Sequence, residues 1–485
     1  MSWTGLLKGC LIANETTYPA FIGPSFRPPY HTTAAPHQLT CYTECVEMEL
    51  GAVERNNRHD EANNETPPAP AAATATSLPQ AELTRTRKFK LSSAAFCFFN
   101  AGVNDGALGA LIPYILDEYL ISTAWMAIPY GVGFVGWLAI AVFGGYIRMK
   151  TGTGGVLLIG AFLQFAAQLL RFWVPPFSLF SVTFFLVALG QALQDSQANT
   201  FVAGLKNAHR YLGLIHGCYA IGGLVGPLMA AAIASNLDGQ WAAFYFVPLG
   251  IGAVNLALCL YAFRDEVRMP SRFAAGSEGQ QAGEQRHSTT ALVELRATLK
   301  LRPVWLLSVF FFLYLGAAIT IGGWVVEFLV EVRDGNLSNI AYIASAFYGG
   351  LAAGRFLLAE PTFRLGEWRT FLAYVVVALA LEIVFWQVAN VAVDAVMVSF
   401  IGFLLGPAFA TGVSVGSQLI PSELQASGLA MIFVVAQAGG AIFPAITGVI
   451  ASRAGVGTLQ PIVVGLLAAT VVSWALVPNP RRKIA

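Results

Sequence analysis

Charge is what this sequence has least of. Asp, Glu, Lys and Arg make up 11% of its 485 residues against 56% for hydrophobic types, where soluble domains carry roughly 25% and about 45–50%. A core surrounded by water cannot absorb that excess. The mean hydropathy of +0.62 therefore sends apolar surface into lipid. The formal net charge of +1 gives no sign of nucleic-acid binding, because the cations sit in short scattered clusters. Cysteine is equally sparse. Cys10, Cys41, Cys45, Cys97, Cys218 and Cys259 are too few and too dispersed for a disulfide framework. Cys41 and Cys45 have no matching His or Cys partners, so no metal site is expected. No Gly-x4-Gly-Lys-[Ser/Thr] loop occurs to cradle a nucleotide, which argues against an ATP-driven pump. Clustered carboxylates and paired histidines are missing too, so neither an enzyme nor a cofactor is expected.

What the chain does have is long apolar runs. From residue 92 they alternate with short polar breaks, each run about 20 residues long, as helices crossing a hydrocarbon layer of about 30 Å must be. Spans are expected near 92–116, 123–147, 154–174, 178–204, 211–235, 241–263, 303–330, 338–359, 369–389, 393–418, 427–451 and 458–478. The fold class is therefore an all-α membrane protein of twelve transmembrane helices. Residues 1–90 read as a disordered tail, with Thr66-Pro67-Pro68-Ala69-Pro70-Ala71 at its most repetitive. Its apolar patch from Leu6 to Ile12 is too short for a span or a signal peptide. Residues 91–263 and 303–478 form two six-helix bundles, joined by a linker at 264–302 and followed by a tail at 479–485.

Orientation follows from Lys and Arg, which resist translocation. Basic residues precede span 1 (Arg85, Arg87, Lys88, Lys90) and follow spans 2, 4, 8 and 12 (Arg148 and Lys150; Lys206 and Arg210; Arg364 and Arg369; Arg481, Arg482 and Lys483). More lie around the 264–302 linker. The opposite loops hold only Arg171, Arg333 and Arg453. Both termini are thus expected in the cytoplasm, where Asn14 and Asn64 would escape glycosylation. The plasma membrane is favoured over the vacuole.

The halves retain traces of duplication. Tyr130-Gly131 with Gly136-Trp137 lines up with Tyr348-Gly349 and Gly354-Arg355. Gly222-Gly223 with Pro227 lines up with Gly439-Gly440 and Pro444, both pairs lying about 217 residues apart.

Polar groups inside oily helices need a reason, since a charge at the bilayer centre costs about 2.5–3.5 kcal/mol on insertion scales. Span 1 places Asn100, Asn104 and Asp105 near its centre. Either they line a solute cavity, with Asp105 taking a proton, or they bond to a neighbouring helix. Span 4 carries Gln191, Gln194, Asp195, Gln197 and Asn199 at helical spacing, a stripe that must face the bundle or water. His216 on span 5 lies close in depth to Asp195, so the two can relay protons; satisfied packing is the slightly favoured alternative. Arg355 near the inner end of span 8 reads first as a gate residue, with Lys150 as a second candidate. Tyr219, Tyr314, Trp324 and Tyr348 can stack on a solute or simply pack. Thr411 lies on a milder polar face of span 10. Glu382 of span 9 has no evident role.

Three segments carry a family resemblance. Asn100-Ala101-Gly102-Val103-Asn104-Asp105-Gly106-Ala107-Leu108-Gly109-Ala110-Leu111-Ile112-Pro113-Tyr114 is the first. Gln194-Asp195-Ser196-Gln197-Ala198-Asn199 through His216-Gly217 to Gly226-Pro227 is the second. Leu313-Tyr314-Leu315-Gly316 with Gly322-Gly323-Trp324 is the third. Over roughly 92–478 the chain resembles the major facilitator superfamily, specifically the fungal branch near fucose-permease-like and bypass-of-stop-codon proteins. The resemblance implies two pseudo-symmetric bundles around a central cavity. Two positions depart from it: Met149 replaces an acid in the loop after span 2, and Ala318 stands where relatives tend to carry one. Span 5 resembles the antiporter signature in Gly213, Gly222, Gly226 and Pro227, which in the family is associated with export.

The resulting expectation is a secondary-active, proton-coupled transporter working by alternating access as a monomer. Asp105, Asp195 and His216 are its proton candidates. Asn104, Gln191, Gln194 and Asn199 are its solute-bonding candidates. Export of a small organic molecule or secondary metabolite is narrowly favoured over proton-coupled sugar uptake, which the amide-rich stripe also suits. A non-transporting nutrient sensor is a third reading.

Overall fold

The computed structural model describes residues 84–206, 208–237, 240–267, 294 and 296–480. The expectations for the tail before residue 84, most of the linker and the basic cluster at 481–483 lie outside it.

The spanning helices are numbered α1 to α12. They are α1 Arg85–Tyr119, α2 at 127–151, α3 at 153–171, α4 Phe177–Ala203, α5 Ala208–Asn236 and α6 Phe246–Ala262. The second set is α7 Arg302–Arg333, α8 Ile343–Leu357, α9 Glu367–Gln387, α10 Val391–Leu419, α11 Gln425–Ala454 and α12 Leu459–Leu476. Helix is the form lipid permits, since every backbone N–H and C=O finds its partner within the segment. Glycine and proline are tolerated inside these helices because packing against neighbours replaces what they lose.

One apolar stretch, Thr123–Arg171, is 49 residues long. At 1.5 Å per residue it is far too long for one crossing. It breaks at Gly152, whose φ of 73° and ψ of 175° fall where only glycine sits without strain. That break turns one stretch into α2 and α3 and completes the twelve crossings. α10 is likewise made of two pieces, Val391–Leu405 and Ala408–Leu419, parted at Gly406-Pro407.

Packing repeats between the halves. α1 packs on α5 and α6 as α7 packs on α11 and α12; α3 meets α6 as α9 meets α12; α4 lies on the α2–α3 pair and α10 on α8. The bundles meet where α1 touches α7, α2 touches α11 and α5 touches α8. The second and third of these seams exchange under the same pseudo-two-fold relation. At Gly109 on α1 a Cβ would sit only 1.9 Å from the carbonyl oxygen of Gly322 on α7, so the bundles approach there backbone to backbone.

The helices alternate in direction. Arg85, the Gly152 break, the α6–α7 connection and residue 480 therefore share one end of the molecule, called here the termini end. At this end Lys90 donates to Asp265 (2.7 Å) and Glu266 (2.6 Å), tying the start of α1 to the segment after α6. The Lys90 hydrogen bond holds the Asp265 carboxyl below the usual carboxylate range. At the far end, Thr123 Oγ1 donates 2.8 Å to the carbonyl of Gly448 on α11, a bond between bundles.

Candidate functional site

α1 brings its polar residues to the centre of the first bundle and to its boundary with the second. Asp105 accepts three hydrogen bonds: Gln191 Nε2 of α4 at 2.7 Å, Tyr219 Oη of α5 at 3.0 Å, and Asn104 Nδ2 at 3.3 Å. A carboxylate in hydrocarbon is costly unless donors surround it, and three helices supply them here. Gln191 also reaches the Ala101 carbonyl at 3.4 Å. Tyr348 of α8 comes from the other bundle, its ring over Gly223 of α5 and its hydroxyl at Gly322 of α7. The Tyr130 hydroxyl on α2 reaches Gly323 of α7. Three phenols from three helices, α2, α5 and α8, thus converge on the line where the bundles meet. Asp105, Tyr130, Tyr219 and Tyr348 are all half-buried.

Behind Asp105 lies a cation that the sequence reading assigned to a loop. Arg171, at the end of α3, is 2% exposed and folded into the first bundle. Its Nε donates to Thr183 Oγ1 at 2.6 Å and its Nη1 to Asn104 Oδ1 at 3.2 Å. The guanidinium carbon lies 4.0 Å from the Phe184 ring centroid, a cation–π contact that offsets lost hydration. Gln168 Nε2 donates to the same Asn104 oxygen at 2.9 Å. Asn104 therefore connects Arg171 to Asp105, accepting from the one and donating to the other. Sequence reasoning missed Gln164, Gln168 and Arg171. Their spacing of four and three residues on an otherwise apolar helix is the signal that points to them.

Deeper in the bundle, amides bond to one another. Asn100 Nδ2 donates to Gln164 Oε1 (2.9 Å), and Gln164 Nε2 to Gln194 Oε1 (2.8 Å). The same Gln194 oxygen also accepts from Asn255 Nδ2 (3.1 Å). Gln194 Nε2 is taken by the Leu157 carbonyl at 3.1 Å. Gln194 thus serves α3–α4–α6 packing, while Gln191, one turn away, faces Asp105.

The remaining candidates divide. Asp195 is half-buried and accepts from Asn199 Nδ2 at 3.2 Å. No hydrogen bond joins it to His216, whose ring packs on Phe98 and on Phe409 of α10 instead. Arg355 of α8 donates to the His216 carbonyl at 3.3 Å and lies 5.7 Å from the Tyr219 ring, so it bridges the bundles toward the termini end. Lys150 is exposed and lies over Tyr146 of its own helix. Tyr314 is buried with its hydroxyl on the Leu405 carbonyl (3.2 Å), and Trp324 is buried with its indole on the Pro444 carbonyl (3.1 Å). Both hold the second bundle together. Thr411 is buried in α10. In the α5 motif, a Cβ at Gly222 or Gly226 would collide with the Phe99 or Val103 carbonyl of α1, whereas Gly213 stands open.

Comparison with known proteins agrees with this architecture. Residues 94–444 match the family model described as Major Facilitator Superfamily. The chain is 26% identical over 415 residues to Bypass of stop codon protein 6 of Saccharomyces cerevisiae, covering 81% of this chain and 83% of that one. It is 22% identical over 399 residues to a Glucose/galactose transporter of Brucella abortus, covering 77% and 91%. Among solved structures, the Escherichia coli fucose:proton symporter superposes with a TM-score of 0.57 at 17% identity, covering 80% and 98%.

Proposed function

Because this chain belongs to the Major Facilitator Superfamily, a family of transporters, we propose that it is a proton-coupled carrier that takes up a small hydroxylated solute of the sugar class. The observation that carries this reading is Asp105, a carboxylate ringed by Gln191, Tyr219 and Asn104 beside the seam between bundles. Amide and phenol groups are the donors and acceptors a polyol needs, and aromatic faces suit a pyranose ring. The sugar-related names of the Brucella relative and of the fucose symporter support the solute class.

In this reading the two bundles rock around Asp105, which holds the coupling proton, while Gln191, Tyr219 and Tyr348 hold the solute. Arg355 acts as a latch at the termini end, which faces the cytoplasm by its basic residues, and the membrane is the plasma membrane. A single chain suffices.

Export of a small secondary metabolite is the second reading, favoured by the α5 glycine–proline motif. The seating of Gly222 and Gly226 against α1 accounts for most of that motif by packing alone, so uptake is preferred.

The test is flux into proteoliposomes of the purified protein, with labelled hexoses and an inward proton gradient. Accumulation that collapses with a protonophore is expected. Asp105→Asn is expected to lose at least about tenfold of that accumulation while keeping equal-concentration exchange, as a carrier deprived only of coupling does. Undiminished accumulation in Asp105→Asn sinks the proposal, and solute leaving against the gradient selects export.

A further inference from the structure

A second polar pocket lies in the other bundle, unconnected by any hydrogen bond to the Asp105 cluster. Glu382 of α9 is 2% exposed, and no described residue gives its carboxyl a hydrogen bond or an ion pair. It borders a cavity of about 10 Å³, room for one water-sized body. Two further polar residues line the same cavity, Thr320 of α7 and Gln460 of α12, whose Oγ1 and Oε1 are buried without a partner. Apolar side chains, Ile321, Trp324 and Val398 among them, close the rest.

Three polar groups left unmatched around one small void are a costly arrangement. Each orphaned buried polar atom is penalised for its lost hydration, and an uncompensated carboxylate more so. Arg333, at the far end of α7, does not relieve it. Arg333 gives its Nε to Asp394 at 3.2 Å and its Nη2 to the carbonyls of Phe385 and Trp386, closing the end of α9. Amides and hydroxyls of neighbouring helices do not reach Glu382 either. One body about the size of water satisfies all three groups: a water beside a protonated Glu382, or a small monovalent cation beside an ionised one.

We propose that this pocket is a sodium site, with Glu382 supplying the charge and Gln460 Oε1 and Thr320 Oγ1 the neutral oxygens. Hard monovalent and divalent cations prefer oxygen donors, and divalent ions additionally call for several carboxylates or retained waters. Among the described residues no three His, Cys, Asp or Glu side chains come together. One carboxylate with neutral oxygens therefore matches a single charge. A sodium ion here would join α7, α9 and α12, the helices that carry the second bundle, and so tie its packing to the cation outside. The site does not depend on the solute or on proton coupling at Asp105.

The experiment uses the purified full-length chain in detergent at fixed pH and ionic strength, exchanging choline chloride for sodium chloride. A saturable rise in unfolding temperature with sodium is expected, of the form set by ligand binding to the folded state, with potassium giving less. Glu382→Gln is expected to abolish the rise. Thr320→Val and Gln460→Leu, which remove one neutral oxygen each, are expected to move its midpoint to several-fold higher sodium. Should Glu382→Gln fail to fold, radioactive sodium binding to Thr320→Val and wild type replaces it, with the same several-fold weakening expected. Equal curves in sodium and choline overturn the proposal and leave Glu382 protonated around a water. A sodium response undiminished in all three variants overturns it as well.

Discussion

Arg171 brings a full charge into an apolar layer, where an ion taken out of water costs several kcal/mol before any partner is counted. Its fork is occupied by Thr183 on one side and Asn104 on the other, with Phe184 beneath. Lysine has neither the planar fork that spans Thr183 and Asn104 nor the flat face that stacks on Phe184. Arg171→Lys is therefore expected to destabilise the protein by about 1–3 kcal/mol, read as a lower unfolding temperature. A double-mutant cycle with Asn104→Ala is expected to show a coupling of about 0.5–3 kcal/mol; strictly additive losses would mean that the bond contributes nothing. At this scale the sequence was legible only in part. Asp105, Asn104, Gln191 and Tyr219 stood out as polar residues in oily helices, and they do meet. Arg171 and Arg333 stand where spans end, so a count of basic residues places them in loops. Whether a terminal arginine points outward or folds back depends on partners such as Thr183 and Asp394, and nothing local names these. Asp195 and His216 illustrate the converse, since similar depth on two helices says nothing about which faces are turned together.

The hairpin between α2 and α3 rests on a single backbone position. Gly152 combines a positive φ with an extended ψ, a region any Cβ makes unfavourable by about 1–3 kcal/mol. Gly152→Ala is expected to lower the yield of folded protein in membranes, whereas Gly145→Ala, where nothing lies within 4 Å of the added carbon, is expected to leave it unchanged. Fluorescence-detected size exclusion of tagged variants checks both, and equal yields would show the break to be set elsewhere. A second element-level constraint is the clasp of Lys90 on Asp265 and Glu266. Asp265 is largely exposed, so the clasp contributes no more than about 1 kcal/mol. Because its folded pKa is depressed, that stability is present above the unfolded value of about 3.9 and fades as pH falls through the lower folded value. Asp265→Asn is thus expected to cost a constant fraction of a kcal/mol across pH 5 to 8. The difference from wild type should vanish in strong acid, followed by thermal unfolding at each pH. The twelve spans were legible because length and hydropathy decide them. The break at Gly152 was legible as a gap between spans, though the positive φ that makes it was not.

The two halves share a packing scheme, and the repeats of Tyr-Gly and Gly-Gly-x3-Pro about 217 residues apart anticipated it. Which seams join the halves was beyond the sequence, because backbone-to-backbone contacts such as Gly109 on Gly322 leave no chemical signature beyond two glycines among 48. Those seams make alternating access concrete. At the far end the bond from Thr123 to Gly448 joins α11 to the segment entering α2, while α2 runs exposed from Phe143 to Lys150 apart from Gly144 and Ile147. If the bundles rock, the Thr123–Gly448 contact must open once in every cycle. The two positions adjoin, and a Cβ at Gly448 would lie 2.7 Å from the Thr123 backbone oxygen and 2.7 Å from the Trp324 ring, so a cysteine there is seated only if the contact gives way slightly. Mild oxidation of Thr123→Cys/Gly448→Cys is expected to form a disulfide and to stop solute flux in proteoliposomes, with full recovery on reduction. Gly448→Cys alone sets the steric baseline, and in each single variant flux should be the same with and without oxidant. A fully cross-linked protein that still transported would require a route across the membrane in which the far ends never part. The bundles would then be a fixed frame, and Asp105 would have to exchange its ligands through motion of side chains alone.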